Sequence, residues 1–244
     1  MRREPLRTRA RQFVLARVGP VRRQQLRRAV RRPRWGNLRR MRPLSPKFGF
    51  DRGTPIDRHH IGAFMAANAD AIRGVVGEIA EDSYTTQFGG DRVQRIEIID
   101  IDPDNPRATI IADLAQAGAL PESAFDCLIV TQTLQYVADP LAALRTCATA
   151  LRPGGALLLA APALTAHDAI EPDDIDHWRF WPAGLRHLID QAFPQAEVAV
   201  HVHGNLTSTI AFLHGLAAEE LRPDELDAED PRYPIVILAR VGNR

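Results

Sequence analysis

Two apolar runs without polar alternation, Phe125 to Val130 and Ala156 to Ala161, sit at the centre of the chain. A strand with no polar face is buried on both sides, as in a parallel sheet sandwiched between helices. Between them, Pro140 to Leu151 carries a helical pattern. Pro140 opens it, and Arg152-Pro153-Gly154-Gly155 turns the chain after it. The pattern predicts a βαβ unit, with the turn Thr131-Gln132-Thr133-Leu134-Gln135-Tyr136 at the carboxyl edge of the sheet, where open α/β folds bind ligands.

Three further strands are predicted upstream, at Arg73 to Ala80, Arg95 to Ile101 and Thr109 to Ala112, preceded by a helix running to about Ile72. Thr54 or Asp57 is a candidate cap for that helix, with Pro55 near its first turn. Downstream, a helix is predicted from Ala183 to Phe193 and an alternating edge strand from Glu197 to His203. A helix from Ser208 to Leu221 follows, with Ile210, Leu213, Leu216 and Ala217 as a core-facing stripe. Pro234 to Val241 closes the chain as a strongly apolar strand.

Composition adds bounds. A chain of 244 residues with 45% hydrophobic content suits one α/β domain plus extensions. No apolar run approaches the length of a membrane-spanning helix. Cys127 and Cys147 fall within apolar patterns and read as reduced core residues of a cytoplasmic protein. The net charge of +1 conceals an asymmetry: residues 1–42 hold 16 arginines against the single acid Glu4, whereas residues 43–244 hold 15 basic and 29 acidic residues. The chain therefore reads as a basic arm (1–42), an N-terminal helix and cover loop (43–73) and an α/β domain (74–244). The arm is read as solvated or docked on the acidic domain. It also suits an anionic membrane surface at the inner face of the membrane, and less readily nucleic acid. A twin-arginine export signal is interrupted at Arg17.

The chemistry-bearing residues cluster at predicted strand ends: Glu78 after the first strand, Asp102 after the second with Asp100 as its alternative, and Asp113-Leu114 after the third. Phe125-Asp126 opens the fourth, and Leu151-Arg152-Pro153-Gly154-Gly155 precedes the fifth. This ordered set, over residues 74 to 162, resembles the class I S-adenosylmethionine-dependent methyltransferases. In particular it is similar to bacterial methyltransferase-domain proteins of surface-polysaccharide settings, through FGFDRGTPIDR and GNLTSTIAFLHGLAAEEL.

The resemblance implies a Rossmann-like α/β fold: a seven-stranded, mostly parallel sheet with helices on both faces, the last strand inserted antiparallel between the fifth and sixth. It implies S-adenosylmethionine as cofactor. Glu78 would orient the methionine ammonium, and the turn holding Ala80 and Asp82 would pack on the cofactor. Asp102 would accept both ribose hydroxyls, Asp113 and Leu114 would border adenine, and Thr131 and Gln132 would line the methionine side. The first loop departs from the family's glycine-rich pattern, with no glycine between Gly77 and Gly89. Its acids Glu81 and Asp82 would repel a dinucleotide pyrophosphate, which argues against a nicotinamide enzyme.

The acceptor is expected at the rim formed by Ala163 to Pro182. There Trp178 offers a stacking face and Arg179 a cation, while His203 is a further candidate from the tail. A hydroxyl acceptor needs a base, for which His167, His177 or His203 is the candidate, since histidine titrates near neutral pH. The intervals between His167, Asp168 and His177 are irregular, and no metal is predicted. The segment from Phe48 to Arg58 reads either as a capping loop or as a cover over the ligand, through Arg52, Thr54 and Arg58 beside Phe48 and Phe50. The implied activity is methyl transfer to a small-molecule or saccharide-linked acceptor. The alternative is a non-catalytic module partnering a glycosyltransferase or another protein.

Overall fold

Apolar residues that alternate between the two faces of the central strands bury the sheet between helices. In the computed structural model, residue 22, residues 36–168 and residues 175–243 are described. The chain divides into two units, residues 1–41 and 42–244. Of the first unit, the described part includes a 3-10 turn at Gly36–Arg39; residues 1–21 and 23–35 of the basic arm, like residues 169–174 of the rim loop, lie outside the described residues.

The second unit holds seven strands: β1 Gly74–Ile79, β2 Val93–Asp100, β3 Ile110–Ile111, β4 Phe125–Thr131, β5 Leu151–Pro162, β6 Glu197–His203 and β7 Val236–Gly242. Their order is β3-β2-β1-β4-β5-β7-β6. The first five are parallel, and β7 runs antiparallel between β5 and β6, with Leu159 and Val200 both opposite Ala239. The helices are α1 Ile56–Ala67, α2 Ser83–Phe88, α3 Pro140–Ala150, α4 Pro182–Ala192, α5 Leu206–Leu213 and α6 Pro223–Asp227. This is the Rossmann-like methyltransferase sheet that the sequence resemblance implied.

The apolar runs divide by parity. Leu128, Val130, Leu157 and Leu159 pack with Leu144 and Cys147 of α3 and with Leu185 and Ile189 of α4. Cys127, Ile129, Leu158 and Ala160 face the other way, against Ile61 and Met65 of α1 and Phe212 of α5. Both cysteines are buried and free, with their thiols pushed up to about 12 by burial, so they serve as core side chains.

Several local expectations are corrected. Arg152-Pro153-Gly154-Gly155 lies inside β5 as an irregularity: Phe125 pairs Leu151 and Cys127 pairs Ala156, so five steps of β5 oppose two of β4. Gly154 takes φ +78 and its N–H reaches Asn243 O at 2.8 Å, which keeps the extra residues attached to the sheet. Neither Thr54 nor Asp57 caps α1. Pro55 is the N-cap residue, Thr54 Oγ1 donates to Glu219 at 2.6 Å, and Asp57 is buried in the first turn. The helix expected from Ser208 to Leu221 stops at Leu213, because Gly215 turns at φ +71 where it packs on Ser45; Leu213 is consequently exposed and Ala217 buried. In contrast, α3 has the predicted start, with Asp139 Oδ1 accepting from Ala142 N at 3.0 Å ahead of Pro140.

Candidate active site

Parallel strands bring their carboxyl ends to one edge, and the turns after β1, β2 and β4 and the segment after β3 enclose a hollow of about 840 Å³ there. That volume lies within the range of small-ligand and cofactor sites. Ile79, Ile99, Ile101, Leu114 and Val137 give it apolar walls, and Glu78, Glu81, Asp100 and Asp113 supply carboxylates.

Glu78 is buried, and burial raises its pKa. Its oxygens accept from Tyr84 N (3.0 Å), Thr85 N (2.8 Å) and Thr85 Oγ1 (2.6 Å). The acid thereby anchors the first turn of α2, and of roughly four lone-pair positions on a carboxylate one is left toward the hollow. Ala80, in the adjacent turn, adopts φ +66 while its N–H donates to Ile99 O at 2.9 Å. The backbone thus makes the left-handed turn that glycine ordinarily takes.

Asp100 ends β2. Its Oδ1 accepts from Asp102 N at 3.0 Å and its Oδ2 from Asn105 Nδ2 at 2.6 Å; the same Asn105 amide reaches Ala80 O at 3.0 Å. The turns after β1 and β2 are therefore tied together at the mouth. Asp102, two residues beyond the strand, is exposed, accepts from Asp104 N and does not line the hollow. Asp82 pairs with Arg107, which lines the wall in its place. Asp113 Oδ1 accepts from Ala115 N at 2.9 Å, and Leu114 is buried beside it.

A second, smaller cavity of about 80 Å³ adjoins the first, and Arg58, Gln132 and Tyr136 line both. Gln132 closes β4 at φ +49, its Nε2 donating to Asp57 Oδ2 at 2.9 Å and its carbonyl accepting from Gln135 Nε2 at 2.9 Å. Asp57 is buried, and burial raises its pKa. Tyr136 donates to Asp168 Oδ2 at 3.1 Å, and burial pushes its hydroxyl up to about 12, so it stays protonated. Phe48, Phe50 and Arg58 line this cavity, whereas Arg52 pairs with Glu220, so the loop after residue 47 both covers the pocket and braces itself.

Of the sequence-predicted residues, Glu78, Ala80, Asp113, Leu114, Thr131, Gln132 and His177 line the large hollow, and Arg179 lines the small one. Asp82, Asp102, His167, Trp178 and His203 line neither. His167 lies 3.9 Å from Asp176, Trp178 Nε1 donates to Val137 O at 2.9 Å, and His203 stacks on His60 with centroids 4.8 Å apart. The sequence alone gives Asp57, Gln135 and Tyr136 no site role, although all three line the small cavity. Tyr136 and Gln135 belong to the carboxyl-edge turn already singled out, but nothing in the pattern signals that Asp57 points inward.

Among the described residues, no group of His, Cys, Asp and Glu is arranged to hold a metal ion, and no helix is long and apolar enough to cross a membrane. A family model described as a methyltransferase domain matches residues 48–204. The fold is similar to that of the cyclase SpnF, at 13% identity and a TM-score of 0.51 over 79% of this chain and 83% of that one. It is also similar to a protein of Bordetella parapertussis described as possibly exported, at 15% identity and a TM-score of 0.50 over 80% of this chain and 71% of that one. A SAM-dependent methyltransferase of Archaeoglobus fulgidus aligns at 12% identity and a TM-score of 0.49, over 76% and 94% of the two chains. Comparison with curated proteins gives no match.

Proposed function

The chain belongs to the methyltransferase-domain family and is an S-adenosylmethionine-dependent enzyme, and from that premise we propose that it methylates a small-molecule or saccharide-linked acceptor. The observation that carries this reading is the pair of adjoining cavities: one of cofactor size rimmed by Glu78, Asp100 and Asp113, the other small and polar, sharing Arg58, Gln132 and Tyr136 with the first.

The cofactor supplies an electrophilic methyl group on a sulfonium. Asp100 takes the ribose position in this proposal, because it lines the hollow where Asp102 does not. A carboxylate can accept from both ribose hydroxyls beside the two hydrogen bonds it already receives. Asp113 and Leu114 border the adenine, and Thr131 and Gln132 the methionine side. Glu78 fixes the turn at Ala80 and leaves an oxygen toward the ammonium. Methyl transfer is an in-line displacement that gains mainly from positioning and exclusion of water. The tie from Asn105 to Ala80 and the left-handed Gln132 hold the two walls for that purpose. His177, on the rim of the large hollow, is the candidate base for a hydroxyl acceptor, and Arg179, its charge paired with Asp176, lines the acceptor side.

The test is transfer of a labelled methyl group from S-adenosylmethionine into a fractionated cell extract. Label in the low-mass or polysaccharide fractions is expected. Label confined to protein or nucleic acid overturns the acceptor class.

A further inference from the structure

Five buried side-chain polar atoms among the described residues lack a hydrogen-bond partner, and three of them, Asp57 Oδ1, Gln135 Oε1 and Arg179 Nε, belong to residues lining the small cavity. Buried polar groups are normally satisfied, so three such atoms around one cavity call for a water or a ligand group there. We propose that the small cavity is a polyol subsite, in which Asp57, Gln135 and Arg179 hydrogen-bond the hydroxyls of a neutral, sugar-like arm of the acceptor; this rests on the methyltransferase reading.

The donor and acceptor inventory selects the chemistry. Gln132 O accepts from Gln135 Nε2, which leaves the Gln135 amide oxygen as a bare acceptor, and Arg179 Nε can only donate. Asp57 accepts when ionised and donates when protonated. A hydroxyl complements all three atoms in either state, since it both donates and accepts, whereas an ammonium cannot serve Arg179 and a carboxylate cannot serve Gln135. The charge balance agrees, because the lining holds two cations, Arg58 and Arg179, against the carboxyls of Asp57 and Asp168, and Arg179 is already paired with Asp176. A cavity of about 80 Å³ has room for roughly two to three water-sized groups, the size of a vicinal diol and not of a whole sugar. The ring carbons are left to the apolar faces of Phe48, Phe50 and Phe212, with Phe48 and Phe212 centroids 6.1 Å apart.

The test uses the full chain saturated with S-adenosylhomocysteine, probed by saturation-transfer NMR with the methyl pyranosides of glucose, mannose, galactose and rhamnose, and with cyclohexanol, ethanolamine and acetate as controls. The expected result is saturable binding of at least one pyranoside, none of the controls, and a loss of about tenfold or more in Asp57→Ala and in Gln135→Ala while S-adenosylhomocysteine still binds. Binding of S-adenosylhomocysteine without any pyranoside overturns the subsite, which would then be a water-filled void. So does pyranoside binding that neither substitution weakens, or a preference for ethanolamine or acetate. Failure of S-adenosylhomocysteine itself to bind is a separate outcome that removes the methyltransferase reading beneath it.

Discussion

Ala80 stands at φ +66 in the turn that most directly shapes the cofactor hollow. A left-handed conformation costs a residue with a Cβ about 1–2 kcal/mol, part of which glycine returns through its greater freedom when unfolded. Ala80→Gly is therefore expected to leave the unfolding free energy from urea titration equal or higher, by up to about 1 kcal/mol, whereas Ala80→Val loses about 1–3 kcal/mol. Asp57 poses a different residue-scale question. Burial raises its pKa, so the native state holds its proton to higher pH than the unfolded chain, and the cost of the buried carboxylate grows as pH rises through that folded value. Asp57→Asn is thus expected to raise the melting temperature at neutral pH, with the gain shrinking under acid conditions; an equal gain at all pH values would contradict the assignment. The acids at the strand ends were legible in the sequence, because carboxylates are rarely left at the end of an apolar strand without a purpose. The choice between Asp100 and Asp102 was not legible: it depends on where β2 stops, and a shift of two residues carries the side chain from the hollow to solvent.

Elements differ in how plainly they announce themselves. α3, with Asp139 as cap and Pro140 at its start, and the apolar β4 and β5 were readable because local chemistry and burial agree. α2 was missed because its six residues carry no cap of their own: Tyr84 and Thr85 donate to Glu78 on β1, a tertiary contact that no local pattern encodes. The packing of α1 against β6 is likewise tertiary, and it carries a pH signature. His60 of α1 stacks on His203 of β6, beside His59, with His201 of the same strand on Phe64; His203 Nδ1 lies 3.0 Å from Glu229. Burial brings His60 down to about 3, with His203 and His59 adding to the shift, and His203 is lowered as well. The folded pKa of His60 lies below the unfolded value, so the unfolded chain takes the proton first and stability falls as pH drops below about 6.5, by about 2 kcal/mol at pH 5. His60→Phe is expected to flatten this limb of a denaturation-versus-pH curve; an unchanged slope would show that His60 is not the group responsible.

At the scale of the molecule, the parallel order β3-β2-β1-β4 brings Glu78, Asp100, Asp113 and Gln132 to one edge, in loops supported by a sheet whose central strands are buried on both faces. That arrangement was readable from the sequence as an ordered set of short motifs, each weak alone. The small cavity was not, because its walls come from α1, the turn after β4 and residue 179, which are far apart along the chain and meet only through packing. In the proposed function Asp100, Glu78 and Asp113 form one nucleoside-sized site despite a first loop without glycines. Calorimetric titration of the full chain with S-adenosylhomocysteine tests it most directly. Saturation at one site per chain is expected, with a weakening of about tenfold or more in Asp100→Ala and little change in Asp102→Ala. Absence of heat and of thermal stabilisation at millimolar ligand, or dependence on Asp102 in place of Asp100, would contradict it.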